Sequence, residues 1–336
     1  MLETFLNTLK EGIDLSETEA YAALQLIFTG QCDDEEIKYL LTTMASKGES
    51  VSEIMGFAKA MLEKVKEIDL PRIAIDTCGT GGSKKPRFNI STASAFVLAA
   101  GGLPVIKHGN KGSKTENGSF NFLEELKIPF HDDPAFLINL FKQTNICFLF
   151  ARYFHLAMKH VAPARNKIQG RTIFNLIGPL CNPARVKYQI LGTTSELIAE
   201  KLATALPHLG VEKGLVIVGL DGFDELSLTH DSMIFEITKE KKERRIFKPK
   251  ELKIKLDSEV IVGNAKENAA LFQSLIAEGN AKHPNSLLIA LNAGAGFYCF
   301  GKTNSIAAGF EYAKELIADK KVHEKYLQVL NYSQNF

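Results

Sequence analysis

Residues 76–92 read DTCGTGGSKKPRFNIST, and this stretch decides the fold. Just before it, RIAID (72–76) alternates in polarity as a short strand does and runs straight into glycines at 79, 81 and 82. ISTASAFVLAA (90–100) then reads as a helix, opened by Asn89, Ser91 and Thr92 and closed by Gly101–Gly102. A strand that empties into a glycine loop and then a helix N-terminus turns backbone N–H groups inward, and the positive end of the helix dipole points at the same place. That is an anion site, and Lys84, Lys85 and Arg87 add positive charge to it. The spacing fits neither the P-loop, which needs Gly-Lys-Ser/Thr at the helix start, nor the dinucleotide fingerprint G-x-G-x-x-G.

Downstream, strand-like and helix-like segments alternate: LPVIK (103–107), CFLFA (147–151), YQILGT (188–193), SELIAEKLATALPHLG (195–210), GLVIVGLDG (214–222) and SMIFEIT (232–238). The alternation predicts an α/β fold around a mostly parallel central sheet. Upstream, the first 68 residues read as helices only. Ser16/Glu19, Asp33/Glu36 and Ser50/Glu53 have capping-box spacing, and Gly30 and Gly48 stand where helices should stop. The stretch from about 155 to 186, with Pro163, Pro179 and Pro183, has no strand period and is expected to return to this helical part. The predicted division is therefore a small helical domain over 1–69, joined by about 155–186, and an α/β domain over the rest of 70–336. Residues 285–334 read as helical, with AGAGFYCFG (293–301) as a small-residue interruption.

Two further segments carry chemistry. KHGNKGSKTENGS (107–119) follows the strand LPVIK, so Lys107 and His108 fall at a strand's C-terminal end, where open α/β sheets bind ligands. Lys111 and Lys114 suit a polyanion there. His108 could act as a general base, and Asn110 suits hydrogen bonding to a neutral substrate equally well. In GLDGFDELSLT (219–229), Asp221, Asp224 and Glu225 follow an apolar strand, with LSL as a further short strand. Beside a polyphosphate, Asp224 and Glu225 suit Mg²⁺, which takes one or two carboxylates plus substrate phosphates. KEKKERRIFKPKELKIK (239–255), with nine cations and three anions, reads as a solvated hairpin or loop.

Composition narrows the class. The 336 residues carry 40 Lys and Arg against 39 Asp and Glu, a net charge of +1, which argues against a broad polyanion-coating face. Cys32, Cys78, Cys147, Cys181 and Cys299 show no metal-ligand spacing, and an odd number of them lies far apart, so neither a zinc site nor a disulfide framework is expected. The N-terminal MLETFLNTLKEGIDL lacks the basic flank and apolar run of a signal peptide, and no apolar stretch reaches bilayer length. A cytoplasmic protein is expected.

The ordered set GTGG…FNISTASA, KHGN…GS, MKHVAPAR, RTIFNLIGPLCNPA and DGFDELSLT resembles the anthranilate phosphoribosyltransferases of tryptophan biosynthesis, over residues 1 to about 330. The resemblance implies a nucleoside-phosphorylase-type fold, with the active site in the hinge cleft between the domains, and a homodimer. It implies transfer of the phosphoribosyl group of phosphoribosyl pyrophosphate to the amine of anthranilate, with Mg²⁺ as cofactor and neither nucleic acid nor membrane as partner. Carried over by position, Gly79 and Gly82 would line the pyrophosphate loop, with Gly79 also reaching anthranilate. Asn89, Ser91 and Thr92 would hold the pyrophosphate, Ser91 also its metal, and Lys107 and Ser119 the phosphoribosyl group. His108, Asn110 and Arg165 would hold anthranilate, Arg165 through its carboxylate, and Lys107, His108 and Asn110 form the catalytic set. Asp224 and Glu225 would bind Mg²⁺.

The chain also departs from the family. GTGG continues here with Ser83 and Lys84 in place of Asp-Gly. KHGN continues with Lys111, Gly112, Ser113, Lys114, Thr115, Glu116 and Asn117 in place of Arg-Ser-Val-Ser-Ser-Lys-Ser. Arg87 stands where the family is polar and uncharged. Ser83 and Arg87 are candidate phosphoribosyl pyrophosphate ligands from their loop position alone. A paralogue with another acceptor, a pyrimidine nucleoside phosphorylase and a nucleic-acid-binding protein using the basic loops are the alternative readings.

Overall fold

The helices of the N-terminal region begin where the caps place them. Ser16, Asp33 and Ser50 each start a helix, Glu17–Phe28, Asp34–Lys47 and Val51–Glu63, through a complete capping box. Glu53 does more than cap. Fully buried, it accepts hydrogen bonds from the backbone N–H of Leu15 (3.1 Å) and Ser50 (2.7 Å) and pairs with Lys47 at 3.1 Å, so one carboxylate ties three segments together.

The structure, a computed structural model, describes residues 1–81, 87–112, 116–254, 256 and 258–334. Its seven described strands, β1 (Ile75–Gly79), β2 (Val105–Gly109), β3 (Ile146–Phe150), β4 (Tyr188–Gly192), β5 (Lys213–Gly219), β6 (Ser232–Thr238) and β7 (Lys242–Phe247), form one sheet in the order β3-β2-β1-β4-β5-β6-β7. The first five run parallel, whereas β6 and β7 are antiparallel to their neighbours. The fold is thus a helical N-terminal part plus an α/β part with a mostly parallel sheet, as expected.

Alternation along β5 assigns its two faces. Leu215 and Ile217 belong to a core shared with helices Ile90–Ala100, Ala265–Glu278 and Pro284–Phe300. Val216 and Val218 belong to a second core with helix Glu196–His208 and the N-terminal helices. Val161, Ala164, Ile173, Phe174, Leu176 and Ile177 join that second core, so the stretch after 155 does pack with the N-terminal helices.

Three local expectations are corrected. RIAID is out of phase: β1 starts only at Ile75 and extends through Gly79, because β4 pairs with it residue by residue from Ile75–Tyr188 to Gly79–Gly192, while Ile73 is exposed. LSL (226–228) is no strand, since side chains capture its backbone: Asn292 accepts from Leu226 N–H at 3.0 Å and donates to its carbonyl at 3.2 Å, and Ser227 Oγ accepts from Thr229 and His230. AGAGFYCFG breaks the helical run only at its last residue: 293–300 lie within the continuous helix Pro284–Phe300, and Gly301 ends it in the left-handed region. Its small residues serve contact instead. A Cβ at Gly294 would lie 2.5 Å from Phe310 N, and one at Gly309 2.4 Å from Gly294 O, so helix Ile306–Ala318 lies directly on this helix. The basic segment 239–255 supplies the turn and the second strand of a hairpin with β6, and β7 is a charged edge strand that discourages pairing with other chains.

Gly294→Val should therefore overpack the helix pair and destabilise the protein by about 2 kcal/mol or more. A lowered urea midpoint at unchanged slope would report it, and a midpoint equal to wild type would contradict this packing.

Candidate active site

The chain passes from β1 outward to β2 and β3, then returns to add β4 on the other side of β1. Loops leaving β1 and β4 therefore diverge, and open α/β sheets bind ligands in such a crevice beyond the strands' carboxyl ends. β1, β2, β4 and β5 all end in glycine there, at 79, 109, 192 and 219. All four leave no room for a Cβ, and Gly192 and Gly219 meet backbone, the latter at 2.9 Å from Glu225 O. A Cβ at Gly192 would lie 1.7 Å from Asp224 O, and one at Gly109 would lie 2.3 Å from Ser119 Oγ. Loops thereby fold back directly onto the strand ends.

The turn after β5 lies across β1 and β4. A Cβ at Gly79 would meet Asp224 Oδ2 at 2.7 Å, so this carboxylate sits against the start of the glycine loop. There Arg87 Nη1 donates to both Asp224 oxygens at 2.9 Å, with the Asp224 side chain 5% exposed and that of Arg87 29%. The carboxylate in turn holds the guanidinium proton more firmly, so this arginine stays charged. Glu225, beside it, is pushed well above the usual carboxylate range, first by burial and then by the Asp224 charge.

Under the loops lies a buried charged layer. Asp76 is inaccessible to solvent; it accepts from Asn182 Nδ2 at 2.9 Å and from His108 N–H at 3.3 Å. Burial raises its pKa to about 6 against the pull of Lys107. Lys107 is 1% exposed, and its ammonium donates to the Thr77 carbonyl and, at 3.3 Å, to Ser91 Oγ. Burial lowers its pKa and Asp76 opposes that. The Thr77 hydroxyl donates to Ser91 O at 2.7 Å, so β1 and β2 together clamp the first turn of helix Ile90–Ala100. That helix follows Asn89 as expected, but the Asn89 side chain does not cap it. Instead it accepts from Asn268 at 3.0 Å and donates to Asn117 O at 3.2 Å, and the Thr92 hydroxyl is buried without a hydrogen-bond partner among the described residues.

His108 is buried with its Nε2 3.2 Å from Nε2 of His155. Burial, then the neighbouring His155 and Lys107, push His108 well below its ordinary value, and burial takes His155 down to about 4. Both imidazoles are neutral near pH 7, one donating and one accepting. Asn110 is exposed, and its carbonyl accepts from Ser119 Oγ at 3.3 Å. Arg165 stands apart from these on Ala162–Asn166, half-buried, 3.4 Å from Asn175 Oδ1 and over the Phe174 ring at 5.7 Å. No carboxylate pairs with it among the described residues.

The strand ends thus gather Gly79, Arg87, Asn89, Ser91, Lys107, His108, Ser119 and Asp224, with Arg165 on the helical side. Gly82, Ser83, Lys84, Lys85 and Lys114 lie outside the described residues. Lys111 departs from its expected use: it pairs with Glu124 at 2.9 Å and covers the Phe130 ring, which spends its charge within the protein. Sequence reasoning missed Asp76, Asn182, His155 and Asn268. An acid in an apolar strand and the Asn of LCNPA could have signalled the first two. Asn268 had no signal, yet from helix Ala265–Glu278 its amide reaches Arg87 O, Asn89 Oδ1 and Gly263 O at 3.0–3.1 Å.

Comparison with known proteins agrees with this layout. The α/β domain of a glycosyl transferase family matches residues 72–322, and the helical bundle domain of the same family matches residues 3–65. Anthranilate phosphoribosyltransferase of Geobacillus kaustophilus is 40% identical over 97% of this chain and 96% of its own. The crystal structure of anthranilate phosphoribosyltransferase from Thermus thermophilus superimposes with a TM-score of 0.88 at 35% identity, covering 98% of this chain and 99% of that one. The Saccharomyces cerevisiae enzyme, solved in complex with PRPP and Mg, shares the fold with a TM-score of 0.90 at 24% identity, over 100% and 98% of the two chains.

Asp76 makes stability depend on pH. Its folded pKa of about 6 exceeds the ordinary 3.8, so between these values the folded state holds a proton that the unfolded state has lost. Stability is then greatest below the lower value and falls as pH rises. Relative to Asp76→Asn, wild type should lose up to roughly 3 kcal/mol between about pH 4 and pH 6. Urea unfolding of both proteins across that range checks it; parallel curves would refute it.

Proposed function

The chain belongs to the anthranilate phosphoribosyltransferase family, and we propose that it transfers the phosphoribosyl group of phosphoribosyl pyrophosphate to the amine of anthranilate, in tryptophan biosynthesis. The observation that carries this reading is the meeting of the two glycine-bearing loops with the Asp224 turn at the β1–β4 crevice, with an unneutralised guanidinium at Arg165 on the helical side. A phosphorylated sugar suits the first and a small aromatic carboxylate the second. The site would lie between the α/β part and the helical unit formed by 1–69 and about 155–186.

The chemistry asks for charge stabilisation. As the bond from C1 of the ribose to pyrophosphate breaks, its electron pair leaves with the pyrophosphate and the sugar becomes cationic. The anthranilate nitrogen lone pair then forms the new C1–N bond, and the proton that the nitrogen loses passes to the departing pyrophosphate or to water. Gly79, Asn89, Ser91 and Thr92 would bind the pyrophosphate at the helix start, with Arg87 as a further cation. Lys107, held under Ser91 and Thr77, fixes this corner from behind. His108 is a weak base because burial disfavours its protonated form, so with Asn110 it serves to orient the amine. Ser119, held by Asn110 O, would contact the phosphoribosyl group.

Asp224 and Glu225, with Ser91, would hold Mg²⁺. The donor set suits it: hard carboxylate oxygens at a strand end, and no cluster of three or more His, Cys, Asp or Glu among the described residues, so the remaining ligands would be substrate phosphate and water. When bound, the ion would neutralise charge on the leaving pyrophosphate. Five free cysteines, and no described helix long and apolar enough to cross a membrane, support a cytoplasmic setting. A homodimer is proposed from the family alone.

Loss of anthranilate fluorescence that requires both phosphoribosyl pyrophosphate and Mg²⁺ is the direct test, and no turnover by well-folded protein would refute the reading. Arg165→Ala should raise KM for anthranilate by about tenfold or more, with a much smaller effect on the other substrate. Equal effects on both would remove its assigned role. Asp224→Ala and Glu225→Ala should each lower turnover and raise the Mg²⁺ concentration needed for half-maximal rate.

A further inference from the structure

Arg87 and Asp224 place on each other the two charges that the proposed reaction would use separately. Their main chains are fixed independently. The Arg87 carbonyl accepts from Asn117 and Asn268 at 3.0 Å, and the Asp224 backbone lies on the Gly192 strand end. What can move is the guanidinium, on a long side chain 29% exposed and 3.9 Å, through Nη2, from a Cβ position on Gly81 of the anion loop. The ion pair therefore staples the glycine loop to the acidic turn, and its cation already faces the place where a diphosphate would lie.

We propose that Arg87 and a divalent cation compete for Asp224, and that the site fills by ion exchange: Asp224 gives up the guanidinium as it takes the metal, and Arg87 passes to the diphosphate. This rests on the reading above, in which Asp224 is a metal ligand. A carboxylate whose two oxygens both accept from one arginine nitrogen attracts a bare dication poorly, because the arriving ion must first break the pair. A diphosphate changes that, since it offers Arg87 a new partner while the metal takes the old one, and no charge is left unpaired. The two ligands then bind cooperatively, each raising the affinity for the other by the same factor.

Mn²⁺ serves as the probe, titrated against the full-length protein with and without inorganic pyrophosphate, with free ion followed by electron paramagnetic resonance and corrected for its own pyrophosphate complex. Wild type should bind Mn²⁺ weakly alone and about tenfold or more tighter with pyrophosphate. Arg87→Gln should bind Mn²⁺ alone about tenfold more tightly than wild type, gain less from pyrophosphate than wild type does because only the direct metal–phosphate contact remains, and lose the site when Asp224→Asn is added. Equal affinity of wild type and Arg87→Gln for Mn²⁺ alone overturns the proposal, as does a gain that survives Asp224→Asn. Should Arg87→Gln fail to fold, Arg87→Met decides, because it keeps a long side chain but removes the charge and both contacts of Nη1; it should tighten Mn²⁺ by a similar factor, and no change overturns the proposal. A wild type that binds Mn²⁺ as described but transfers nothing to anthranilate refutes the functional reading and leaves the competition standing.

Discussion

The site depends on how closely its loops can lie on the ends of the parallel strands. With 1.7 Å between a Cβ at Gly192 and Asp224 O, any side chain at 192 would lift the acidic turn off β4. Lifting it would also separate Asp224 from Gly79, and with it Arg87 from the only carboxylate it contacts among the described residues. Gly109 lets Ser119 Oγ approach the end of β2 and donate to Asn110 O, which joins the two ends of the second loop. A Cβ-free sheet edge is the condition for everything polar above it. Glycine is costly in a strand through its backbone entropy, and here the close approach of the loops requires it.

Beneath that edge the charges are arranged in depth. Lys107, by residue type the obvious phosphate ligand, is the most buried cation of the site and spends its protons on Thr77 and Ser91. Asp76 balances it, and Asn182 and the His108 N–H satisfy Asp76. A buried pair of this kind is weak evidence for stability, since its desolvation offsets much of its attraction. Its geometric effect is clearer: it fixes the ends of β1 and β2 and the first turn of the following helix in one arrangement. Of the groups that touch solvent, Arg87 and Asn110 are mounted on that frame, and Arg165 stands apart on Ala162–Asn166.

What could be read from residues alone follows from how local the signal is. Capping boxes depend on two residues three apart, and all three were legible and complete in the structure. β5 and β6 were legible because their apolar runs are short, rich in Val, Ile and Phe, and flanked by glycine or polar residues. AGAGFYCFG misled because small residues signal both a break and a close helix contact, and only the facing Gly309 decides between them. LSL misled because Asn292, 66 residues away from Leu226, takes up its backbone groups. At the site, motif residues were legible as types, but their partners were not. Nothing near Asn268 marks it as the amide that joins Arg87, Asn89 and Gly263, and nothing near Arg87 announces Asp224 across 137 residues.

That last pairing changes the meaning of the charge count. A net charge of +1 with basic loops suggests a local positive field waiting for an anion. The described cations of those loops are in fact neutralised one by one: Arg87 by Asp224, Lys111 by Glu124, and Lys107 in a buried layer with Asp76. These described pairs add little to the steering of polyanions, because paired charges cancel beyond about a Debye length. A small ligand is a different case. A compact diphosphate carrying its own metal brings both signs of charge into contact range and can exchange partners with a pre-formed ion pair. Selectivity then comes from having both components of the exchange present at once, which a simple basic cleft would not demand.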